Sequence, residues 1–215
     1  MPGLASRLGG RRIAALAALL FAWFAPSASA MSFSTLILPD GKRIVLGEGP
    51  VGEGDATRLQ AALHSADPDR FGNKVLALDS PGGLVTEAFA LVDVMDRERV
   101  STVVRPGASC ASACAQVLFL SGVHRTVDGN GRIGLHSCRV AGERSRSMIC
   151  PELIAQNALA RGTRYESIMA FLILTDPSDM RWLAASEAEY WGFTRRPVQD
   201  APALRPVPVQ AAARR

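Results

Sequence analysis

Apolar and polar residues alternate in short blocks along most of the chain. Two apolar stretches flank Pro39-Asp40-Gly41, which predicts a β-hairpin. The short continuous apolar run at 75–78 is typical of a strand buried on both faces, and "STVV" at 101–104 predicts another short strand. Between them, residues 84–95 carry apolar side chains at helical spacing. The pattern therefore predicts strands and helices in alternation.

The second half of the chain continues this alternation. The small-residue stretch "GASCASACAQVLFLSG" at 107–122 predicts a helix, and "RIGLH" at 132–136 predicts a strand. Residues 151–174 predict two helices separated near Gly162, and 186–191 a last short helix. Near the start, Asp55 or Thr57 is expected to cap another helix. Together these elements predict an α/β fold of βα repeats around a mainly parallel sheet.

The first thirty residues have the order of a secretory signal peptide. A segment with three arginines precedes an apolar run at 13–24, and Ala28-Ser29-Ala30 is an A-x-A cleavage signal. We expect cleavage after Ala30 and a periplasmic or secreted protein, with an uncleaved anchor as the alternative. The expected organisation is a signal peptide at 1–30, one domain at 31–196 and a Pro/Ala/Arg-rich flexible tail at 197–215.

Export changes what the charge and the cysteines mean. Three of the arginines behind the formal charge of +4 lie in the signal, so the basic charge does not indicate nucleic acid as a partner. The four cysteines are expected to form disulfides in an oxidising compartment. Cys138–Cys150 is the favoured pair because it would staple the polar loop between them, and Cys110–Cys114 is the second. Their spacing does not indicate a metal site.

Two strand-to-helix loops can carry chemistry, because sites in parallel sheets form beyond the carboxyl ends of strands. "DSPGG" at 79–83 could bring a backbone amide close to a ligand, but taken alone the motif favours a plain tight turn. Ser112 lies at the start of the next helix, where it is either a nucleophile or an N-cap. Of three histidines, only His136 ends a strand beside these loops. Lys42 and Lys74 lie away from them, which disfavours a Ser-Lys pair.

These segments, in this order, resemble a known superfamily. "LDSPGGLVTEAFALVDVM", "GASCASACAQVLFLSG" and "RIGLH" are similar to the Clp protease-like serine peptidases of the ClpP/crotonase superfamily, with an exported bacterial branch as the nearest match. "GPVGEGDATRLQAAL" and "LAASEAEYWGF" are similar to its opening and closing elements. The resemblance implies a ClpP/crotonase-like fold of repeated ββα/βα units.

The resemblance also implies residue roles. Ser112 is the nucleophile, with Ser109 as a competitor three residues earlier, and His136 is the base. Gly83 and Ala113 supply the oxyanion-hole amides. The acid that orients the histidine falls on Asp179, with Asp176 as the alternative, because neither aligns without a one-residue shift.

The implied function is a serine endopeptidase that cleaves peptides or unfolded proteins without ATP. It implies no metal or cofactor, no membrane span after cleavage of the signal, and a homo-oligomer as an expected assembly. The main alternative is a catalytically inactive binding or scaffold protein with the same fold, motivated by the shifted acid and by the cysteines flanking Ser112. An acyl-CoA enzyme of the crotonase type is disfavoured, because export removes it from CoA.

Overall fold

The structure is a computed structural model that describes residues 30–140, 143–144 and 147–197. Apart from residues 30 and 197, the predicted signal peptide at 1–30 and the predicted tail at 197–215 lie outside the described residues. Within the described ranges, no helix has both the length and the apolar character needed to span a membrane.

Strands and helices alternate in the first part of the chain as the pattern predicted, whereas in the second part of the described chain four short strands follow one another without a helix between them. The strands are β1 (Ser32–Ile37), β2 (Arg43–Glu48), β3 (Lys74–Asp79), β4 (Val100–Val104), β5 (Ser109–Ala111), β6 (Arg125–Val127), β7 (Arg132–Leu135), β8 (Arg139–Val140), β9 (Glu143–Arg144) and β10 (Arg181–Ala184). The helices are α1 (Asp55–Leu63), α2 (Val85–Glu98), a short π-helix (Cys114–Phe119), α3 (Ile149–Ala160), α4 (Tyr165–Leu174) and α5 (Ala185–Tyr190).

The strands form one large sheet and a smaller one beside it. The large sheet has the order β1-β2-β3-β4-β6, in which β1 pairs antiparallel with β2 and the other pairs are parallel. The smaller sheet has the order β10-β7-β5, with β5 and β7 parallel. The fold is therefore mixed α/β with a mostly parallel sheet, while the regular repeat of ββα/βα units stays a prediction.

Several boundaries agree with the sequence, but one cap does not, and the short strands β5, β6, β8, β9 and β10 were not predicted. The hairpin of β1 and β2 and the break between α3 and α4 at Gly162 are confirmed. The prediction that Asp55 or Thr57 caps α1 is wrong, because Gly54 takes the cap position and Asp55 is the first helical residue. The buried Asp55 carboxylate instead accepts hydrogen bonds from the amides of Gly52, at 2.7 Å, and Met31, at 3.4 Å.

The core brings the two strand-end loops together. All six residues of the π-helix are buried, and this helix packs against α2, α3 and β5. Next to it, the end of β3 meets β5, because Ser80 donates its amide to Ser109 at 2.8 Å and accepts from Ala111 at 2.9 Å. The loops that follow β3 and β5 therefore leave the sheets side by side.

A buried arginine connects the segment at Phe193 to this core through hydrogen bonds. The Arg125 guanidinium donates to the carbonyl oxygens of Leu120, Arg161 and Phe193 at 2.9–3.0 Å. Burial lowers the pKa of Arg125 to about 10, mainly through desolvation. Because these carbonyls satisfy the guanidinium, Arg125 serves packing rather than ligand binding.

Candidate active site

Ser112 lies on a sharp turn between β5 and the helical segment. Its φ is 55°, in the left-handed region that non-glycine residues rarely adopt. Its amide donates to the carbonyl of Gly134 in β7 at 2.9 Å, and its carbonyl accepts from the Gln116 amide at 2.8 Å. The N-cap interpretation of Ser112 is wrong, because Ala113 holds that position and no side chain caps the helix.

A disulfide closes this turn. Cys110, in β5, is bonded to Cys114, the first residue of the π-helix, across a Cα–Cα distance of 5.3 Å. Both cysteines are fully buried, so the bridge anchors the two sides of the Ser112 turn in the core. The second predicted disulfide is therefore present.

The glycine loop after β3 lies directly against the Ser112 turn. A Cβ atom on Gly82 would lie 2.7 Å from the Ser112 Cβ and 2.8 Å from the Ala113 nitrogen. A Cβ on Gly83 would lie 2.1 Å from the Val51 carbonyl oxygen. The loop therefore requires glycine at both positions for close backbone approach.

Two backbone amides at this junction have no acceptor. Val51 donates to Gly82 at 2.9 Å and accepts from Leu84 at 3.1 Å, a parallel bridge that leaves the intervening Gly83 amide facing the other way. Within the described ranges, no group accepts a hydrogen bond from the amide of Gly83 or of Ala113. Unpaired amides of this kind are what an oxyanion requires.

His136 follows β7 and is almost fully buried. Its Nδ1 lies 2.6 Å from the carbonyl oxygen of Ser137. Because a carbonyl only accepts, Nδ1 carries the proton and Nε2 keeps a lone pair. Burial lowers the pKa of His136, the Ser137 carbonyl opposes this, and Arg139 lowers it further. The neutral imidazole, which can accept a proton, is therefore favoured.

The backbone of His136 is held by a buried amide side chain. Gln116 Nε2 donates to the His136 carbonyl oxygen at 2.5 Å, and Gln116 itself is buried in the π-helix. The sequence interpretation missed this residue, although a glutamine among apolar helix positions was a signal that a polar partner faces it.

These groups line a cavity of about 300 Å³. Its lining combines the glycine loop, the serine turn, the histidine and the second disulfide: Pro50, Pro81, Gly82, Gly83, Val85, Ser112, Gln116, His136, Ser137, Cys138, Arg139, Cys150 and Ile154. Ser112, His136 and Gly83 thus share one cavity, and Ala113 adjoins it through Gly82. Within the described ranges, Ser112 and His136 do not hydrogen-bond each other.

The favoured disulfide, Cys138–Cys150, is present and forms part of the cavity wall. It joins the segment after His136 to the first turn of α3, with Cα atoms 6.3 Å apart. Residues 137 and 139 flank Cys138 and also line the cavity, which the sequence interpretation did not foresee.

The expected triad acid is not brought to the cavity. Asp179 is exposed in the loop before β10, and its amide donates to the Asp176 carbonyl at 3.0 Å. Asp176 is exposed too, and its carboxylate accepts from the Ser178 amide and hydroxyl at 3.0 and 2.8 Å. In the described part of the chain, no carboxylate is hydrogen-bonded to the His136 ring.

The other candidate side chains lie outside the cavity lining. Ser109 is in β5, where its amide donates to Asp79 at 3.1 Å, and His64 is exposed at the end of α1. His124 contacts Asn73 and Ser101 instead. Among the described residues, no three His, Cys, Asp or Glu side chains are grouped as metal ligands.

Comparison with known proteins agrees with this architecture. No curated protein matches the chain in sequence. The family model described as Clp protease matches residues 31–196, which include both strand-end loops, the histidine and the closing helix. This family match suggests peptidase activity. Because the match covers most of the chain, the protein belongs to the Clp protease family.

Proposed function

We propose that this protein is an exported, ATP-independent serine endopeptidase that cleaves peptides or unfolded proteins. The observation that carries the proposal is the shared cavity of Ser112 and His136, next to the unpaired amides of Gly83 and Ala113. Family membership supports peptide hydrolysis as the reaction class. The signal-like sequence at 1–30 supports export, and export supports a reaction that needs no ATP.

In the proposed mechanism, Ser112 attacks the carbonyl carbon of the scissile peptide bond. His136 Nε2 takes the hydroxyl proton as the Ser112 Oγ–C bond forms. The amides of Gly83 and Ala113 hold the negative oxygen of the tetrahedral intermediate. The C–N bond then breaks as His136 gives its proton to the leaving amine. Water, activated by His136, hydrolyses the acyl-enzyme and regenerates Ser112.

The tautomer of His136 supports this role. The Ser137 carbonyl at 2.6 Å keeps the proton on Nδ1, which leaves Nε2 free to act as the base. In a Ser-His-Asp triad a carboxylate does this work. Asp179 as that acid stays a prediction, because it needs the loop before β10 to bring an exposed side chain to the ring.

We further propose that the protein assembles as a homo-oligomer. Ile149 and Leu153 on α3 and Leu174 at the end of α4 expose large apolar side chains. Exposed apolar residues grouped on neighbouring helices favour contact with another protein surface.

Fluorophosphonate labelling of the oxidised protein tests the proposal. We expect an adduct on Ser112, located by mass spectrometry, that is lost in His136→Ala and absent in Ser112→Ala. Ser109→Ala is the matched control, because Ser109 begins the strand that precedes Ser112 and lies outside the cavity lining, and this variant should still label. An adduct on Ser109 instead would show that Ser112 is not the nucleophile.

A catalytically inactive binding protein is the second candidate function. The observation that favours it is the absence, among the described residues, of a carboxylate at the His136 ring. The same labelling separates the two. If folded wild-type protein gives no adduct and hydrolyses no peptide, the binding protein is the better account.

A further inference from the structure

The cavity wall contains two polar groups that the proposed catalytic steps do not use. Ser137 is 3% exposed, and its hydroxyl is buried with no hydrogen-bond partner in the structure. Arg139 lines the same cavity and is exposed; its backbone pairs with Arg144 in the β8–β9 ladder, but its guanidinium has no ion-pair or hydrogen-bond partner among the described residues. Buried hydroxyls are normally satisfied, so an unpartnered one in a residue that lines a cavity indicates a ligand group that completes it.

The described residues of the cavity lining carry charge of one sign. Among them, Arg139 alone has a permanent charge, and none of them is acidic. The field of Arg139 reaches the catalytic group, because it contributes to the lowered pKa of His136. Arg125 shows the contrast: its guanidinium is satisfied by three backbone carbonyls, whereas that of Arg139 is free to meet a ligand.

The remaining walls strengthen the interaction of the Arg139 charge with a ligand. Pro50, Pro81, Val85 and Ile154 are apolar, and the Cys138–Cys150 disulfide fixes the segment that carries both polar groups. Charges interact more strongly beside apolar walls than in open water. A guanidinium and a hydroxyl donor together match the geometry of a carboxylate.

We propose that Ser137 and Arg139 form a carboxylate-binding subsite, so that the protein selects peptides with a carboxylate close to the scissile bond. This inference rests on the proposed function, because it names the substrate class of the same cavity. The carboxylate comes either from an Asp or Glu side chain or from the free C-terminus of a peptide. Both sources present the same group to the subsite.

Matched peptides test the subsite in the wild-type protein. One series of quenched fluorescent peptides moves a single Glu, or its isostere Gln, through the positions flanking the cleaved bond. A second pair compares a free C-terminus with an amidated one. We expect kcat/KM to be about fivefold to tenfold higher for the carboxylate in one of these sets, and the preference to shrink at high ionic strength. The responding set identifies the source, and equal rates in both overturn the proposal.

Three variants assign the preference to residues. Arg139→Gln should abolish the discrimination, Arg139→Glu should invert it toward Lys peptides, and Ser137→Ala should weaken it about twofold to threefold. Ser137→Ala keeps the backbone carbonyl that faces His136. Arg97→Gln is the matched control, because it removes the same charge from an exposed site on α2 outside the cavity lining. If Arg97→Gln and Arg139→Gln act alike, only net charge matters and the subsite is wrong.

Binding separates this inference from the proposed peptidase. Fluorescence anisotropy of the labelled Glu and Gln peptides on Ser112→Ala measures the preference without any hydrolysis. Retained preference in Ser112→Ala that Arg139→Gln removes would establish the subsite even if wild-type protein never cleaves or labels. Equal binding of both peptides, in a protein that does label on Ser112, would leave the peptidase standing and overturn the subsite.

Discussion

Among the described residues, two serine–histidine pairs can be compared, and their surroundings differ. In one, Ser101 Oγ lies 3.5 Å from His124 Nδ1. In the other, Ser112 and His136 share a cavity without a direct hydrogen bond. By distance alone the first pair would be the better catalytic candidate.

The surroundings of the two serines instead favour the pair of Ser112 and His136. Ser101 is 6% exposed and lies within β4, where parallel neighbours on both sides occupy its backbone. Ser112 lies on a turn at φ 55°, beside two unpaired amides and open space. A nucleophile needs access and an oxyanion site as well as a base. The hydrogen bond that matters for the base is the one that fixes its tautomer: His136 Nδ1 faces the Ser137 carbonyl, whereas His124 Nδ1 faces the Asn73 and Ser101 side chains.

Removing each histidine gives the largest expected contrast. His136→Gln should lower kcat/KM by about 10³-fold or more, because no other group can take the Ser112 proton. His124→Gln should keep activity within about twofold, because His124 lies outside the cavity lining. Peptide hydrolysis measures both, with the thermal midpoint as the check on folding. Similar losses in the two variants would mean that the cavity does not define the active site.

A substitution of Gln116 tests whether His136 needs the hydrogen bond that Gln116 donates to its carbonyl. Gln116→Met should lower kcat about tenfold with little change in KM, because the His136 carbonyl loses its donor and the ring loses its position. It should also cost roughly 1–3 kcal/mol of unfolding free energy, since a buried acceptor is left unpaired.

Asn157→Leu is the control for this variant. It removes a hydrogen bond of similar kind, from Asn157 Nδ2 to Ser121 at 3.0 Å, in the same helical layer. It should lower stability and leave kcat unchanged. If both variants lower kcat in proportion to their stability, Gln116 is structural and does not position His136.

The sequence predicted the local parts of this arrangement well. The hairpin turn at Pro39-Asp40-Gly41 and the break at Gly162 depend on neighbouring residues, so both were visible in the pattern. The strands predicted before the glycine loop and before His136 were also found, as β3 and β7. Strands β5, β6, β8, β9 and β10 were missed, because two to four residues are too few to show a period of two.

What the sequence could not provide depends on contacts between distant segments. A π-helix and an α-helix share nearly the same apolar pattern, so Cys114–Phe119 was predicted only as a helix. The support of His136 by Gln116 joins different elements through a backbone carbonyl, which carries no sequence signature. The position of Asp179 depends on how a loop closes, and its choice over Asp176 from motif spacing therefore stays a prediction.

The smallest expected effect is in the pH dependence of stability and activity, which also distinguishes His124 from His136. Burial is the main cause that lowers the pKa of both His124 and His136 below the usual 6.5. An unfolded chain then binds protons more readily than the folded one. Both residues therefore contribute stability that is complete above pH 6.5 and is lost as pH falls toward their folded pKa values.

Activity should respond to only one of these titrations. Because the neutral form of His136 is the base, kcat/KM should level off by pH 6.5 and decline at lower pH, as the lowered pKa of His136 is approached. His124→Gln should reduce the acid loss of stability, followed by thermal melts between pH 4 and 8, while the acidic limb of kcat/KM stays in place. A shift of the acidic limb of kcat/KM in His124→Gln would mean that the two histidines titrate together, and the two pairs would then not be distinct. An unchanged limb would assign the catalytic titration to the histidine beside Ser112.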